Sequence, residues 1–254
     1  MPLKDLGEEV AASCLHPRHR TGPGTNCSTV YPPKEYQSLI PQLKAISFDH
    51  AEEVCHQNSP LSHVYFPTNG VFSTVIVMDD GERIEASAIG KEGMVGLAVV
   101  LGLDFSPVTM TLLVPGECLR LPVASLLQAV KPGRDLDRLL RRYTAYSLRN
   151  AKQSVACNAL HSVEERMCRW LLMMQDRVGN DEFWLTHELL AAMLGVRRQS
   201  VSVVAGTLQK AGFIAYRHGV MRVVDREGLE AASCECYGVT ETLYDRIMKN
   251  SSSN

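Results

Sequence analysis

The sequence lacks the features of a membrane protein, a secreted protein or a familiar enzyme. No apolar run reaches the length of a transmembrane helix, and the first ten residues, MPLKDLGEEV, are polar and charged rather than signal-like. Walker loops, HExxH metal helices and nucleophile elbows are also missing. We therefore expect a cytoplasmic protein without catalytic residues.

The chain also lacks a charge excess and a disulfide framework. Its 26 Lys and Arg and 28 Asp and Glu give a net charge of −2, so any surface that attracts nucleic acid must be local. The eight cysteines are irregularly spaced, which favours reduced thiols. Residues 1–34, rich in Pro, Gly and Thr, predict a flexible extension, and His16, His19 and Cys27 within it have no spacing that would fix a metal.

Residues 185–225 predict two short helices followed by a β-hairpin. Thr186 is a suitable N-cap for the first helix, and Gly195 supplies the sharp turn that ends it. The second helix is predicted over residues 198–210. Its buried stripe is expected to comprise Val201, Val204, Ala205 and Leu208. A hairpin turn at His218-Gly219 follows.

This pattern is typical of a winged helix-turn-helix, although any small helix pair followed by a hairpin could share it. Six cations and two anions between Leu185 and Arg226 give this stretch a local charge of +4. Arg can bind guanine, and Gln adenine, through paired hydrogen bonds, while the basic hairpin can reach phosphates. The candidate DNA contacts are Thr186, Arg197, Arg198, Gln199, Ser200, Ser202, Val203, Arg217 and Arg222.

The same stretch resembles the winged helix-turn-helix of the Crp/Fnr family of bacterial transcription regulators. The resemblance rests on Leu185-Thr186, Leu190-Ala191, Leu194-Gly195-Val196, Arg198, Ser200-Val201-Ser202, Leu208, Gly212-Phe213-Ile214 and Asp225-Arg226. It implies base contacts by Arg198, Gln199 and Val203. The family often has Arg where this chain has Val203, so one polar contact is replaced by an apolar side chain that could meet a thymine methyl.

Residues 45–123 predict short β-strands, with a strong hairpin signal at Asp80-Gly81. A small barrel or jelly roll is the expected architecture. The resemblance implies the β-roll of cyclic-nucleotide-binding proteins. The fold class is therefore α+β: an N-terminal β-roll (jelly-roll-like) sensor domain, a long dimerisation helix and a C-terminal winged helix-turn-helix.

The ligand pocket of this roll is predicted to be degenerate. In cyclic-nucleotide binders the turn reads Gly-Glu-x-Gly, and a later Arg-Ser or Arg-Thr pair binds the phosphate. Here the turn is Gly93-Met94-Val95-Gly96, and the pair is Ser106-Pro107, which carries no charge. We therefore expect no cyclic-nucleotide binding and no cofactor. The N-terminal iron–sulfur pattern of the oxygen-sensing branch is also absent, since Cys14, Cys27 and Cys55 are too far apart.

Residues 135–157 predict a long helix with a seam near the coiled-coil period. That seam comprises Leu136, Leu140, Tyr143, Ser147, Asn150 and Ser154, with Asn150 expected to be solvated. The resemblance implies that this helix joins two copies, so that two recognition helices about 34 Å apart meet a palindromic operator. Ser162 and Glu165 form a capping-box signal for the next helix, predicted to end at Gly179.

These expectations divide the chain into an extension (1–34), a sensor domain (35–132), a dimerisation helix (133–158), a DNA-binding domain (159–237) and a tail (238–254). The expected partners are double-stranded DNA and a second copy of the chain, with RNA polymerase as a candidate and no membrane. We expect no metal, because Cys234-Glu235-Cys236 offers too few thiols for a closed zinc site. The alternative is a metal- or redox-responsive regulator acting through Cys157, Cys234 and Cys236.

Overall fold

The structure is a computed structural model that describes residues 34–48 and 52–248. The predicted extension, with His16, His19 and Cys27, lies outside these residues, as does the end of the predicted tail. Two compact units are present. No helix in the described part of the chain combines the length and hydropathy needed to cross a bilayer.

The first unit comprises the described residues up to Thr74 together with Ala88–Arg141. Its strands form two antiparallel sheets, of order β1-β7-β3 and β2-β6-β4-β5. The end of β4 and most of β5 belong to the second unit. The elements are α1 (Lys34–Gln37), β1 (Lys44–Phe48), β2 (Glu53–Cys55), β3 (His63–Pro67), β4 (Val71–Val77), β5 (Arg83–Ile89), β6 (Thr109–Val114), β7 (Gly116–Pro122) and α2 (Val123–Ala129), with 3-10 turns at Ile40–Gln42 and Leu97–Leu101. This β-rich architecture confirms the predicted roll.

Alternation of buried side chains sets the register of the smaller sheet. Val64 and Phe66 on β3 lie opposite Leu121 and Leu119 on β7, and all four are buried. A one-residue slip would turn these side chains to the other face, so burial fixes the pairing. The predicted hairpin between β4 and β5 is confirmed, with Gly81 at φ 86° in its turn.

The second unit comprises Val75–Ser87 and the residues from Arg142 onward. Its sheet has the order β8-β10-β9. The elements that lie in it, wholly or mostly, are α3 (Asp135–Leu160), α4 (Val163–Val178), β8 (Glu182–Trp184), α5 (His187–Leu194), α6 (Arg198–Lys210), β9 (Ile214–Arg217), β10 (Val220–Val223), α7 (Arg226–Ala232) and α8 (Cys236–Met248).

Helix α4 begins at the predicted capping box. The Ser162 hydroxyl accepts a hydrogen bond from the Glu165 amide at 3.3 Å, and the Glu165 carboxylate accepts one from the Ser162 amide at 2.8 Å. The hydrogen bonds that the Ser162 hydroxyl and the Ser162 amide donate to the Glu165 carboxylate hold the pKa of Glu165 below its usual value. The helix ends at Gly179 in a left-handed conformation, as predicted.

The segment expected to be a tail is helical as far as Met248, and it changes the interpretation of α3. The Tyr146 ring meets the Tyr244 ring edge to face, with centroids 5.0 Å apart. Asn150 is buried and accepts a hydrogen bond from the Thr240 hydroxyl at 3.5 Å. The prediction that Asn150 is solvated was wrong, because the sequence pattern of α3 alone gave no sign that α8 covers this face.

The face of α3 that stays exposed carries a different repeat. Its members are Ala145, Leu148, Lys152, Val155 and Ala159, all exposed and spaced alternately by three and four residues. Leu148 is 57% exposed and Val155 70% exposed, so two large apolar side chains lie on one solvent-facing stripe of α3. The predicted seam through Tyr143 and Asn150 thus lies inside the chain, whereas the exposed repeat faces solvent.

Arg226 joins α7 to α4 and α8. Its guanidinium donates hydrogen bonds to the Asp176 carboxylate at 2.9 Å and to the Gln175 side chain at 2.7 Å. It also contacts the hydroxyl of Tyr237, which in turn donates to Asp176 at 2.7 Å. Burial and the hydrogen bond to Asp176 raise the pKa of Tyr237, so the hydroxyl keeps its proton and remains a donor.

Arg226→Ala should destabilise the second unit by about 2–3 kcal/mol, because it leaves the Asp176 carboxylate without its cation in a partly buried site. Chemical denaturation would measure the loss. Arg138→Ala is the matched control, since that arginine also pairs with an aspartate but is largely exposed. Equal effects of the two substitutions would contradict a structural role for Arg226.

Candidate DNA-binding face, ligand turn and cysteine cluster

Local backbone signals set the angle between α5 and α6. The Thr186 hydroxyl caps α5 by accepting a hydrogen bond from the Leu189 amide at 3.1 Å. Gly195 ends α5 at φ 62°, in the left-handed region that glycine tolerates best. The Arg166 guanidinium of α4 donates to the Leu194 carbonyl, which fixes the end of α5 to the core.

The core-facing stripe of α6 is Val201, Ala205 and Leu208, all buried, with Val204 half-buried at its edge. The opposite face begins at the N-terminus of the helix, where Arg197, Arg198 and Gln199 are exposed. The structure therefore places these three predicted contacts together on one outward surface. Ser202 and Val203 continue this surface one turn later, whereas Ser200 is only half exposed.

Val203 is 71% exposed, although nothing about its chemistry favours contact with water. It lies on the same face as the cationic N-terminus of α6. An apolar side chain held there could contact the methyl group of a thymine but could not form a hydrogen bond to a base.

Arg198 is held in an ion pair with the preceding helix. Its Nε lies 2.7 Å from Oε1 of Glu188 on α5, and both side chains are more than 60% exposed. A pair this exposed contributes roughly 0–1 kcal/mol, so an incoming phosphate or base can compete with Glu188 for the guanidinium.

His187 of α5 lies behind this surface and contacts both β9 and α6. Its ring stacks on Tyr216 of β9 with centroids 4.5 Å apart, and its Nδ1 lies 3.0 Å from the Ser202 hydroxyl. Burial, together with the nearby charge of Arg198, lowers the pKa of His187, so the ring is neutral at pH 7. Ser202 is therefore already engaged, which limits its freedom to contact a base.

The hairpin of β9 and β10 carries Arg217 and Arg222, both exposed. His218 at φ 50° and Gly219 at φ 80° form its two-residue turn, as predicted. The third strand of this sheet, β8, was not predicted from the sequence; it pairs Glu182 with Arg222. A three-residue strand is too short to give a periodic signal, and its effect is to stiffen the predicted wing.

In the roll, two amides of the turn at Gly93–Gly96 donate hydrogen bonds to backbone carbonyls of the same chain. The Val95 amide donates to the Tyr65 carbonyl at 2.8 Å, and the Gly93 amide donates to the Gly90 carbonyl at 3.1 Å. Met94 is 1% exposed and packs into the core. The two amides are therefore unavailable to an anion, and an apolar side chain stands where a ribose-binding carboxylate would be expected.

The second half of the predicted pocket, Ser106-Pro107, is likewise engaged within the chain. Ser106 is buried, and its hydroxyl donates to the Val108 carbonyl at 2.6 Å. Pro107 is exposed and offers neither a charge nor an amide proton. This pair braces a turn and presents no group that would bind a phosphate.

A cluster of three cysteines and a histidine lies at the C-terminal end of α3. Cys157, His161, Cys234 and Cys236 bring one sulfur or nitrogen atom each within 4.8 Å of one another. The three cysteines are buried, and burial raises the pKa of Cys157 and, to about 12, that of Cys234. His161 was not predicted as a member of this cluster, although Cys157 and His161 stand four residues apart, the spacing at which two residues of a helix share a face.

Two family models match separate parts of the chain. Residues 45–132 match the cyclic nucleotide-binding domain, and residues 165–232 match the Crp-like helix-turn-helix domain. A search of curated protein sequences gave no significant match.

Solved structures of similar fold cover about three quarters of the chain. FixK2 from Bradyrhizobium japonicum is 19% identical over 76% of this chain and 98% of its own, with a TM-score of 0.66. TTHB099, a CRP-family transcriptional regulator from Thermus thermophilus, is 20% identical over 76% and 96%, with a TM-score of 0.62. The c-di-GMP-responsive global regulator CLP of Xanthomonas campestris is 15% identical over 74% and 97%, with a TM-score of 0.60. At these identities the likeness concerns the fold alone.

Proposed function

Because the chain belongs to the Crp/Fnr family of transcription regulators, we propose that it acts as a homodimer on a palindromic DNA operator, with the N-terminus of α6 reading bases. The observation that carries this proposal is the exposed group of Arg197, Arg198 and Gln199 at the start of a helix whose other face is buried. Arg217 and Arg222 of the wing would contact phosphates on either side.

The remaining predicted contacts have more limited roles in this proposal. Val203 would add an apolar contact to a thymine methyl, and Ser202 would act mainly by holding His187. Thr186, the N-cap of α5, and Ser200, in the first turn of α6, would contact the DNA phosphate backbone through a hydroxyl or an amide. Contact with RNA polymerase stays a prediction.

The exposed repeat on α3 supports the dimer. Leu148 and Val155 alternate with Ala145, Lys152 and Ala159 at the spacing of a coiled-coil seam, and no other part of the described chain covers Leu148 or Val155. A lysine at one position of such a seam lowers stability but helps to specify register and oligomeric state. A second copy presenting the same face would bury both apolar side chains.

We assign sensing to residues 35–132, dimerisation to residues 133–158 and DNA binding to residues 159–237. The signal would act as a shift between two arrangements of these parts that differ in operator affinity. The closed turn at Gly93–Gly96 and the uncharged Ser106-Pro107 pair support a signal other than cyclic AMP.

Arg198→Ala should weaken binding to a selected operator by about 1–3 kcal/mol, since it removes a bidentate donor to a base. Sites selected from random DNA by the purified protein would supply the operator, and fluorescence anisotropy would measure the loss. Glu188→Gln is the matched variant, because it releases Arg198 from its ion pair and should leave binding equal or tighter. Unchanged operator affinity for Arg198→Ala would remove this residue from the base contacts.

Val155→Glu should convert the dimer to a monomer, because it places two like charges on an apolar seam. Sedimentation velocity would report the mass, and binding to a palindrome should fall to the level of a half-site. Leu127→Glu is a suitable control, since Leu127 is an exposed apolar residue of a different helix, α2. A dimer that survives Val155→Glu would mean that the exposed repeat is not the interface.

Cyclic AMP should leave the thermal unfolding midpoint of the protein unchanged. A ligand present at a hundred times its Kd stabilises the folded state by about 2.7 kcal/mol, which is readily detected. Operator DNA in the same assay serves as the positive control. A concentration-dependent rise with cyclic AMP would show that the roll binds it through groups other than the expected pair.

A further inference from the structure

The four residues of the cysteine cluster come from two segments that are distant in sequence. Cys157 lies in the last turn of α3, and His161 follows directly after that helix. Cys234 and Cys236 lie in the link between α7 and α8 and at the first residue of α8. All four belong to the second unit, so the cluster is formed within one compact part of the chain.

Two distances within the cluster match the edges of a metal tetrahedron. The Sγ atoms of Cys157 and Cys234 are 3.6 Å apart, and Sγ of Cys236 is 3.7 Å from Nδ1 of His161. Zinc bonds of about 2.3 Å to sulfur and about 2.0 Å to nitrogen give tetrahedral edges of roughly 3.8 and 3.5 Å. The widest separation, within 4.8 Å, needs a side-chain adjustment of only about 1 Å to meet this geometry.

The surroundings orient the ligands as a metal site requires. His161 Nε2 lies 3.2 Å from a carboxylate oxygen of Glu235, which leaves Nδ1 to face the sulfur atoms. A carboxylate on the second nitrogen of a metal-binding histidine is a common arrangement, because it fixes the ring and its tautomer. The Gln153 side-chain amide donates to Sγ of Cys236 at 2.9 Å, as expected for a donor to a metal-bound thiolate.

The charge of the surroundings also fits. Arg169 on α4 is buried, its Nε has no hydrogen-bond partner, and its Nη2 lies 3.5 Å from the hydroxyl of Ser154, about one turn before Cys157 on α3. Three thiolates, a neutral imidazole and a divalent ion together carry a charge of −1. A buried guanidinium would offset that charge, whereas beside three neutral thiols it would be an uncompensated cation.

We propose that Cys157, His161, Cys234 and Cys236 bind one Zn²⁺ ion tetrahedrally and thereby fasten the α7–α8 link to the end of α3. Binding replaces the thiol protons with the metal, and three protons leave to solvent for each ion bound. His161 directly precedes Ser162, the N-cap of α4, so the ion sits at the joint between the long helix and the DNA-binding helices. Closed coordination by four side chains indicates a structural site with no open position for a substrate.

Two other chemistries are less well matched to the geometry. A disulfide between Cys157 and Cys234 would use neither His161 nor Cys236, and it would not account for the contact between His161 and Glu235. An iron–sulfur cluster distributes its ligands over several iron atoms, which requires the ligand atoms to lie farther apart than the edge of one tetrahedron. A single ion uses all four side chains at the distances observed.

The first test is the metal content of the full-length protein, purified without chelator or added metal. We expect one zinc per chain by inductively coupled plasma mass spectrometry, and less than a tenth of that in Cys157→Ser and Cys234→Ser. Cys55→Ser should keep the full content, since Cys55 lies outside the cluster in the first unit. Circular dichroism would establish that each variant is folded.

Cobalt substitution gives an independent readout for any variant that loses stability. After zinc is removed under reducing conditions, Co²⁺ should bind with the visible d–d bands of tetrahedral cobalt and the ultraviolet charge-transfer bands of thiolate ligands. Absence of both zinc and this spectrum would overturn the proposal. So would iron with acid-labile sulfide, or a Cys157–Cys234 disulfide in the metal-free protein by mass spectrometry.

Glu235→Gln tests the role of the carboxylate behind His161. Loss of such a partner weakens metal binding by about 10–100-fold, and the exposure of Glu235 favours the lower end of that range. Competition with a chromophoric chelator would measure the change, with Glu227→Gln as the control, since Glu227 is an exposed residue of α7. Equal affinity in both variants would show that the Glu235 carboxylate does not support the metal site through His161. These readouts do not involve DNA, so their outcome is independent of the proposed operator binding.

Discussion

The DNA-binding unit depends above all on the burial of α4. Met167, Leu171, Leu172 and Met174 are at most 1% exposed, because the helix is packed against α5, α6, α7, α8 and β8. Removing four such side chains from water contributes several kcal/mol, and it also forces every neighbouring element into one position relative to α4. The polar contacts then refine that position: Arg166 fixes the end of α5, and Arg226 fixes α7 and Tyr237. The exposed face of α6 is therefore the outer surface of a rigid core.

Much of this arrangement could be predicted from the sequence because its signals are local. Caps, glycine turns and a buried stripe at helical spacing define α4, α5 and α6 within a few residues each, and the turn at His218-Gly219 defines the wing. The β-roll was predictable for a similar reason, since short strands and a strong hairpin turn leave few other architectures. Arg197, Arg198 and Gln199 could be predicted to share one exposed face, because a helix whose buried side is known has only its opposite side exposed.

What could not be predicted depends on contacts between distant segments. The seam of α3 was expected to face a second copy, because a heptad pattern shows that a face is buried but not by what. In the structure its cover is α8 of the same chain. The cysteine cluster was not predicted for the same reason, because it too depends on contacts between distant segments. Cys234 and Cys236 alone cannot close a zinc site, and only the packing of α8 along α3 brings Cys157 and His161 to them. The i, i+4 spacing of Cys157 and His161 was a usable signal, but it gave half of the site.

The position of the cysteine cluster connects the burial of the inner face of α3 with the proposed dimer interface. Because α8 lies along the inner face of α3 through Tyr244 and Thr240, that inner face cannot also meet a second copy. The proposed dimer would then use the outer face with Leu148 and Val155, of which Val155 lies about one turn before the helix ends at the cluster. A metal ion there would make the end of α3, the start of α4 and the first turn of α8 one rigid piece. Any movement of α3 within the dimer would pass to α6 through α4 without being absorbed at the joint, whereas loss of the ion would free the joint and uncouple the two.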